Sequence, residues 1–202
     1  MERDAFRLVA ITDNLRDGIV GLLRRTAAAV RGGATMIQLR LPDDGSRTIV
    51  NVARALAAEL TVPVVVHGRV DVALASGAAG VHLGVHDVSV ADARRIAGAG
   101  FVIGRSAGAA EDLPHAEGAD YVALGPAFPA DQRRPGAALG FSEFERLART
   151  TSTPIIAVGG ISPATAGEAV RAGACGVALI SGILGSPDPE RAAREVRSAI
   201  ER

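Results

Sequence analysis

His67 ends the run PVVVHGRVD (63–71), where three valines give way to an imidazole, a glycine and a guanidinium. An imidazole titrates near neutrality and moves a proton either way, so His67 is a candidate general acid–base. Gln38 and Arg40, in ATMIQLR, are two apart and so share one side of an extended segment. Arg40 offers a fork for a carboxylate or phosphate. Arg69 either contacts a ligand or shapes the turn with Asp71. Ser106, in VIGRS, is a candidate hydrogen-bonding group, with no His–Asp pair evident in sequence to make it a nucleophile. VHLGVHD (81–87) holds His82, His86 and Asp87. Two histidines four apart suit a metal only on a helix, and Gly84 interrupts this pair. Asp87 could reach Mg²⁺ through a phosphate, although a single carboxylate makes a poor metal site. Gly159 and Gly160 in VGGIS, with Ser181 and Gly182 in ISG, are candidate phosphate binders, because glycine lets backbone N–H groups approach an anion.

The elements that must position these residues repeat. Short runs rich in Val, Ile and Leu recur at 7–12, 34–40, 63–67, 79–83, 101–104, 120–125, 154–159 and 175–180. They read as buried parallel strands. Helical spacing fills the gaps, as at 18–33 and 46–60. GGATMIQLR, SGAAGVHLG, AGAGFVIGRS, EGADYVALGP and AGACGVALIS each set a glycine at a helix end, then a small residue, then a strand. Repeated units of about 25 residues predict an α/β fold, a single compact (β/α)8 TIM barrel over residues 1–202. An open doubly wound sheet would favour a glycine fingerprint after the first strand, and AITDN is not one. Active sites of such barrels lie at the C-terminal strand ends, with phosphate bound after strands seven and eight. Every residue singled out above falls at such an end. Gly125, after strand six, opens the irregular stretch GPAFPADQRRPGAALG, whose residues 126–138 form a candidate mobile loop.

Composition excludes several classes. Formal net charge is zero, which argues against a nucleic-acid or membrane-surface role. No apolar run reaches the ~18 residues of a membrane span. The N-terminus does not read as a signal peptide, and with the single cysteine, Cys175, in an apolar run, a cytoplasmic location is expected. All 22 basic residues are arginine. Lysine Schiff-base chemistry is therefore impossible.

GGATMIQLR, VPVVVHGRVDVAL, GVHLG, IGRS, ADYVALGPAFP, PIIAVGGI and GACGVALISGI resemble, in order and over nearly the whole chain, the thiamine phosphate synthase family and its TenI relatives. The resemblance implies a small phosphate-binding barrel acting on a thiazole phosphate. The synthases join a pyrimidine pyrophosphate to that partner with Mg²⁺. Their Gln-x-Arg-Glu-Lys run is met by Gln38 and Arg40 but then by Leu41 and Pro42. Their Asn-Asp-Asp is replaced by His67, Gly68 and Arg69, and the glutamine of His-x-Gly-Gln-x-Asp by Val85. Ala130, Asp131, Gln132 and Arg133 stand where a Thr-x-Thr-Lys run is implied. Losing carboxylates near a metal should impair pyrophosphate departure. GRVD and IGRS look closer to the TenI branch, although Gly108 stands at the implied tautomerase histidine. The expectation is thus a metal-free thiazole tautomerase with no cofactor. In it Gln38, Arg40, Arg69, Ser106 and Gly125 bind substrate, and His67 moves the proton. A Mg²⁺-dependent synthase and a non-catalytic thiazole phosphate binder are the alternatives, and a homo-oligomer is open.

Overall fold

The computed structural model describes residues 3–129 and 138–202. Eight parallel strands close into a barrel in sequence order, from β1 next to β2 round to β8 beside β1. They are β1 Leu8–Ile11, β2 Met36–Leu39, β3 Val64–His67, β4 Gly80–Leu83, β5 Val102–Ala107, β6 Tyr121–Leu124, β7 Ile155–Val158 and β8 Gly176–Leu179. Each lies within or beside one of the apolar runs of the sequence. The helices are α1 Gly18–Arg31, α2 Ser46–Glu59, α3 Val70–Ser76, α4 Val90–Ala97, α5 Gly140–Ala148, α6 Pro163–Arg171, α7 Ser181–Leu184 and α8 Pro189–Ile200.

One expected helix differs. Between β5 and β6 the chain forms a 3-10 helix, Ala110–Ala116, with Pro114 inside it. Proline cannot donate the backbone bond an α-helix needs there. The glycine junctions behave as the repeat requires. Gly77, after α3, adopts φ +72°, and its N–H returns to Ala73 and Leu74 carbonyls. Local signals also start the helices: Ser89 accepts from Asp92 N at the head of α4, and Asp188 from Arg191 N ahead of Pro189 in α8.

Alternate residues on each strand face two different cores. Phe6, Val9, Met36, Val65, Tyr121 and Ile156 fill the barrel interior. Ile37, Val66, Val81, Ile103 and Val122 face the helices, against residues such as Leu22, Leu56 and Phe144. Burying each of those three contributes roughly 1.5–3 kcal/mol. Among the described residues, no helix is long and apolar enough to cross a membrane.

Candidate active site

Strand register brings His67, His82, Gly104 and Tyr121 into one row around the barrel. His67 pairs with His82, His82 with Gly104, and Gly104 with Tyr121. Their rings stack across the interior. His67 and His82 lie 5.6 Å apart at 28°, and His82 and Tyr121 5.5 Å apart at 23°. The gap in the row is Gly104. A Cβ there would stand 2.1 Å from Tyr121 Cζ, so the tyrosine ring occupies the space a side chain would need and reaches across β5 to His82. His82 Nδ1 meets the Tyr121 hydroxyl at 3.0 Å, and His82 Nε2 meets Ser106 Oγ at 2.9 Å. Burial, then the charges of His67 and Arg105, push the His82 pKa down to about 3.

His67 is the partly buried member of this row, at the barrel mouth. Gln38 Nε2 donates to His67 Nδ1 at 3.0 Å, which puts the ring proton of the neutral imidazole on Nε2. Burial lowers the His67 pKa first, the Arg40 charge lowers it further, and Asp87 opposes both. The Asp87 carboxylate folds over the strand ends. Its Oδ2 accepts from Gly84 N at 2.6 Å, and a methyl at Gly68 would stand 3.3 Å from it. Thr12 ties β1 to β2 by accepting from Arg40 N and donating to Arg40 O, both at 2.9 Å. The expected Gln38, Arg40, His67 and Ser106 are therefore gathered at one end of the barrel, with Asp87 beside them.

The glycine loops form the other side. Gly159 and Gly160 have φ +85° and +66°, and both are crowded. A Cβ on Gly160 would stand 2.1 Å from Phe128 O, and one on Gly125 2.0 Å from Val158 O. The loop after β6 is laced to the β7 loop by Ala127 N to Val158 O and Phe128 N to Gly159 O. Ser162 and Thr165 cap α6, and Thr165 Oγ1 donates to Gly160 O. The N–H groups of Gly160 and Ile161 have no acceptor among the described residues, so the turn keeps donors for an anion. Gly182 lies next to it, a Cβ there being 3.9 Å from Ile161 O, and Ser181 opens α7.

Arg69 makes the turn-shaping contact, the second of the two expected for it. Its guanidinium donates to both Asp71 oxygens, at 2.8 and 2.5 Å, and to Ser46 Oγ at the head of α2. The exposed pair is turned to the helices, because Asp71 in the first turn of α3 is the nearest carboxylate in sequence. His86 is exposed on the β4–α4 connection, whereas His82 is buried. Residues 130–137 of the expected loop, including Arg133, lie outside the described residues. Tyr121 was missed by sequence reasoning. Its signal was the glycine of IGRS opposite the tyrosine of DYVALG, which only strand register makes readable.

The family model described as thiamine monophosphate synthase, TMP-TENI, matches residues 8–183. A thiamine-phosphate synthase of Xanthobacter autotrophicus is 40% identical over 202 residues, covering 96% of this chain and 94% of that protein. One of Methanoculleus marisnigri is 43% identical over 187 residues, covering 88% and 86%. The structure of thiamine phosphate pyrophosphorylase from Pyrococcus furiosus superposes with a TM-score of 0.86 at 33% identity, covering 98% of this chain and 97% of that one. These likenesses overturn the expectation of a tautomerase. That expectation weighed a few replaced residues after β2 and β3 above the whole chain, and the whole chain follows proteins named as synthases.

Proposed function

The chain belongs to the thiamine monophosphate synthase (TMP-TENI) family, and on that premise we propose that it is a thiamine-phosphate synthase. It joins a pyrimidine pyrophosphate to a thiazole phosphate and releases pyrophosphate. The observation that carries this is the end-to-end likeness, near 40%, to proteins named for that activity. The same reading places the enzyme in the cytoplasm.

The roles follow from the geometry. Gly159, Gly160, Ser181 and Gly182 hold the thiazole phosphate, where the N–H groups of Gly160 and Ile161 have no acceptor among the described residues. Gly125 keeps the loop after β6 close enough to brace that turn. Gln38, Arg40, His67 and Ser106 receive the pyrimidine pyrophosphate. As the thiazole attacks, the bond from the pyrimidine's carbon to pyrophosphate breaks and negative charge gathers on the leaving oxygens. Arg40 supplies a fixed positive charge there, and His67 Nε2–H a neutral donor. His67 stays neutral because protonation beside Arg40 in a half-buried mouth is unfavourable.

Mg²⁺ is implied by the family, and Asp87 would hold it together with the substrate's phosphate oxygens and water, since one or two carboxylates suffice for this ion. Asp87 is the carboxylate beside His67, one of its oxygens takes Gly84 N–H, and no group of three or more His, Cys, Asp or Glu among the described residues could hold a metal on its own.

The test supplies thiazole phosphate, pyrimidine pyrophosphate and Mg²⁺ to the purified protein. Thiamine phosphate and pyrophosphate are expected in equal amounts. Silence, with thiazole phosphate still bound in calorimetry, would overturn the synthase reading in favour of a binding protein. In the same assay Arg69→Ala is expected to change kcat/KM by less than about twofold, because an exposed pair of this kind contributes little. A tenfold rise in KM would return Arg69 to the site.

A further inference from the structure

Tyr121 touches no solvent at the mouth, yet it ends a chain of hydrogen bonds that starts there. We propose that Tyr121 is a positioning residue: its hydroxyl donates to His82 Nδ1, the ring proton of His82 then sits on Nε2, and the Ser106 O–H is left free to donate to a pyrophosphate oxygen. The proposal rests on the synthase reading for the identity of that anion and on nothing else from it.

Proton counting carries the argument. Tyr121 is 1% exposed in the interior cluster with Phe6, Val9, Val102 and Ile156, and His82 Nδ1 is the one hydrogen-bond partner of its hydroxyl among the described residues. A phenol has one proton to donate. His82 is neutral, since burial holds its pKa far below neutrality, so its ring also has one proton. Were that proton on Nδ1, the phenol proton would be buried without an acceptor, at a cost of a whole hydrogen bond. With the proton on Nε2, every group is satisfied. Tyr121 donates to Nδ1 at 3.0 Å and Nε2 donates to Ser106 Oγ at 2.9 Å.

The consequence falls on Ser106. Its oxygen is already an acceptor within the protein, and its own proton has no acceptor among the described residues. Ser106 is only partly buried, two residues along β5 from Gly104. A hydroxyl that must donate outward suits an anion with acceptor oxygens. The opposite tautomer would make Ser106 donate inward to His82 and present lone pairs to the substrate, the wrong polarity for pyrophosphate. Gly104 belongs to the same device, because only a residue without a Cβ lets the Tyr121 ring cross β5.

The first readout does not need turnover. Long-range ¹H–¹⁵N correlation on ¹⁵N-histidine-labelled wild-type protein is expected to show His82 as the Nε2–H tautomer at pH 7. An Nδ1–H tautomer would overturn the proposal even if the enzyme is a synthase. The second readout is kinetic. Ser106→Ala is expected to lose about a hundredfold in kcat/KM for the pyrimidine pyrophosphate. Tyr121→Phe is expected to lose about tenfold, with the KM for thiazole phosphate unchanged. The double variant should be no worse than Ser106→Ala alone, since both act through one hydroxyl. Wild-type kinetics in Tyr121→Phe, or losses that multiply in the double variant, would refute the relay. Should Tyr121→Phe not fold, the wild-type tautomer still decides. If the wild-type protein makes no thiamine phosphate, the synthase reading fails and the tautomer still stands or falls by itself.

Discussion

Gly104→Ala is expected to destabilise the protein by about 3 kcal/mol, the upper part of the range for overpacking a core, and to lower thiamine phosphate formation by at least about tenfold, the loss expected when the Tyr121–His82 bond is removed. The added Cβ would stand 2.1 Å from Tyr121 Cζ, 2.4 Å from its hydroxyl oxygen and 2.6 Å from Cε1. No part of that ring is a flexible end that can swing aside. Tyr121 is 1% exposed and packs against Phe6 with ring centroids 4.9 Å apart. The strand cannot retreat either, because β5 is paired on both sides, to β4 and β6. The collision therefore breaks the Tyr121–His82 bond before it breaks anything cheaper. Urea unfolding and steady-state kinetics on one preparation would measure both effects. A Gly104→Ala/Tyr121→Leu double variant should recover part of the stability but still lack the contribution of the Tyr121 hydroxyl to turnover. A single variant within about 0.5 kcal/mol of wild type would show that the ring is not held where the structure places it.

Acid should weaken the fold well above the carboxylate range. His82 has a pKa of about 3 in the folded protein against 6.5 in the unfolded chain. Its folded value is depressed, so the sign follows directly. Above pH 6.5 neither state is protonated, and pH has no effect through this group. Below 6.5 the unfolded chain takes up a proton that the folded protein refuses. Stability then falls by about 1.4 kcal/mol per pH unit until the folded pKa is reached. Between pH 6.5 and 5 this amounts to about 2 kcal/mol from His82 alone. His67 is lowered too, by burial and by Arg40, and adds loss in the same direction from the same starting point. The exposed Asp71 and Asp92 are also lowered, by Arg69 and by Ser89 with Arg95, but they titrate at lower pH. Urea midpoints at pH 7, 6.5, 6, 5.5 and 5, with a constant m-value, would test this. A flat profile over that interval would mean that His82 is hydrated or already protonated in the fold, and would remove the proton count on which the Tyr121 relay depends.

Much of the placement of the candidate site residues was legible before the fold. Gln38 and Arg40 were read as sharing a side because strands alternate, and they do lie at one strand end with His67. The glycines of VGGIS were read as an anion turn. They carry the positive φ that such a turn needs, Gly160 N–H has no acceptor among the described residues, and both also answer to a second demand, the closeness of Phe128 and Pro126. Arg69 was read two ways, as a ligand contact or as shaping the turn with Asp71, and the structure shows the second contact. Sequence places its guanidinium beside both the mouth and Asp71, and a carboxylate two residues away captures it. The preference for tautomerase chemistry was overturned. Individual losses at His67, Gly68 and Arg69 are visible in sequence, but whether neighbouring donors compensate is a property of the assembled mouth.

The sequence by itself determined the repeat. Eight apolar runs with glycine-ended helices between them can bury their surfaces in few ways, and strand ends then carry the chemistry. Only the tertiary structure decided which side of each run faces the barrel interior. In a parallel barrel both faces of a strand are buried, so hydrophobic alternation does not separate inside from outside. Register does. It sets Gly104 opposite Tyr121 and His82 opposite Gly104, and so joins residues 24 and 39 positions apart into one hydrogen-bonded chain. Nothing local in IGRS or DYVALG encodes that meeting, because it arises from the closure of the sheet.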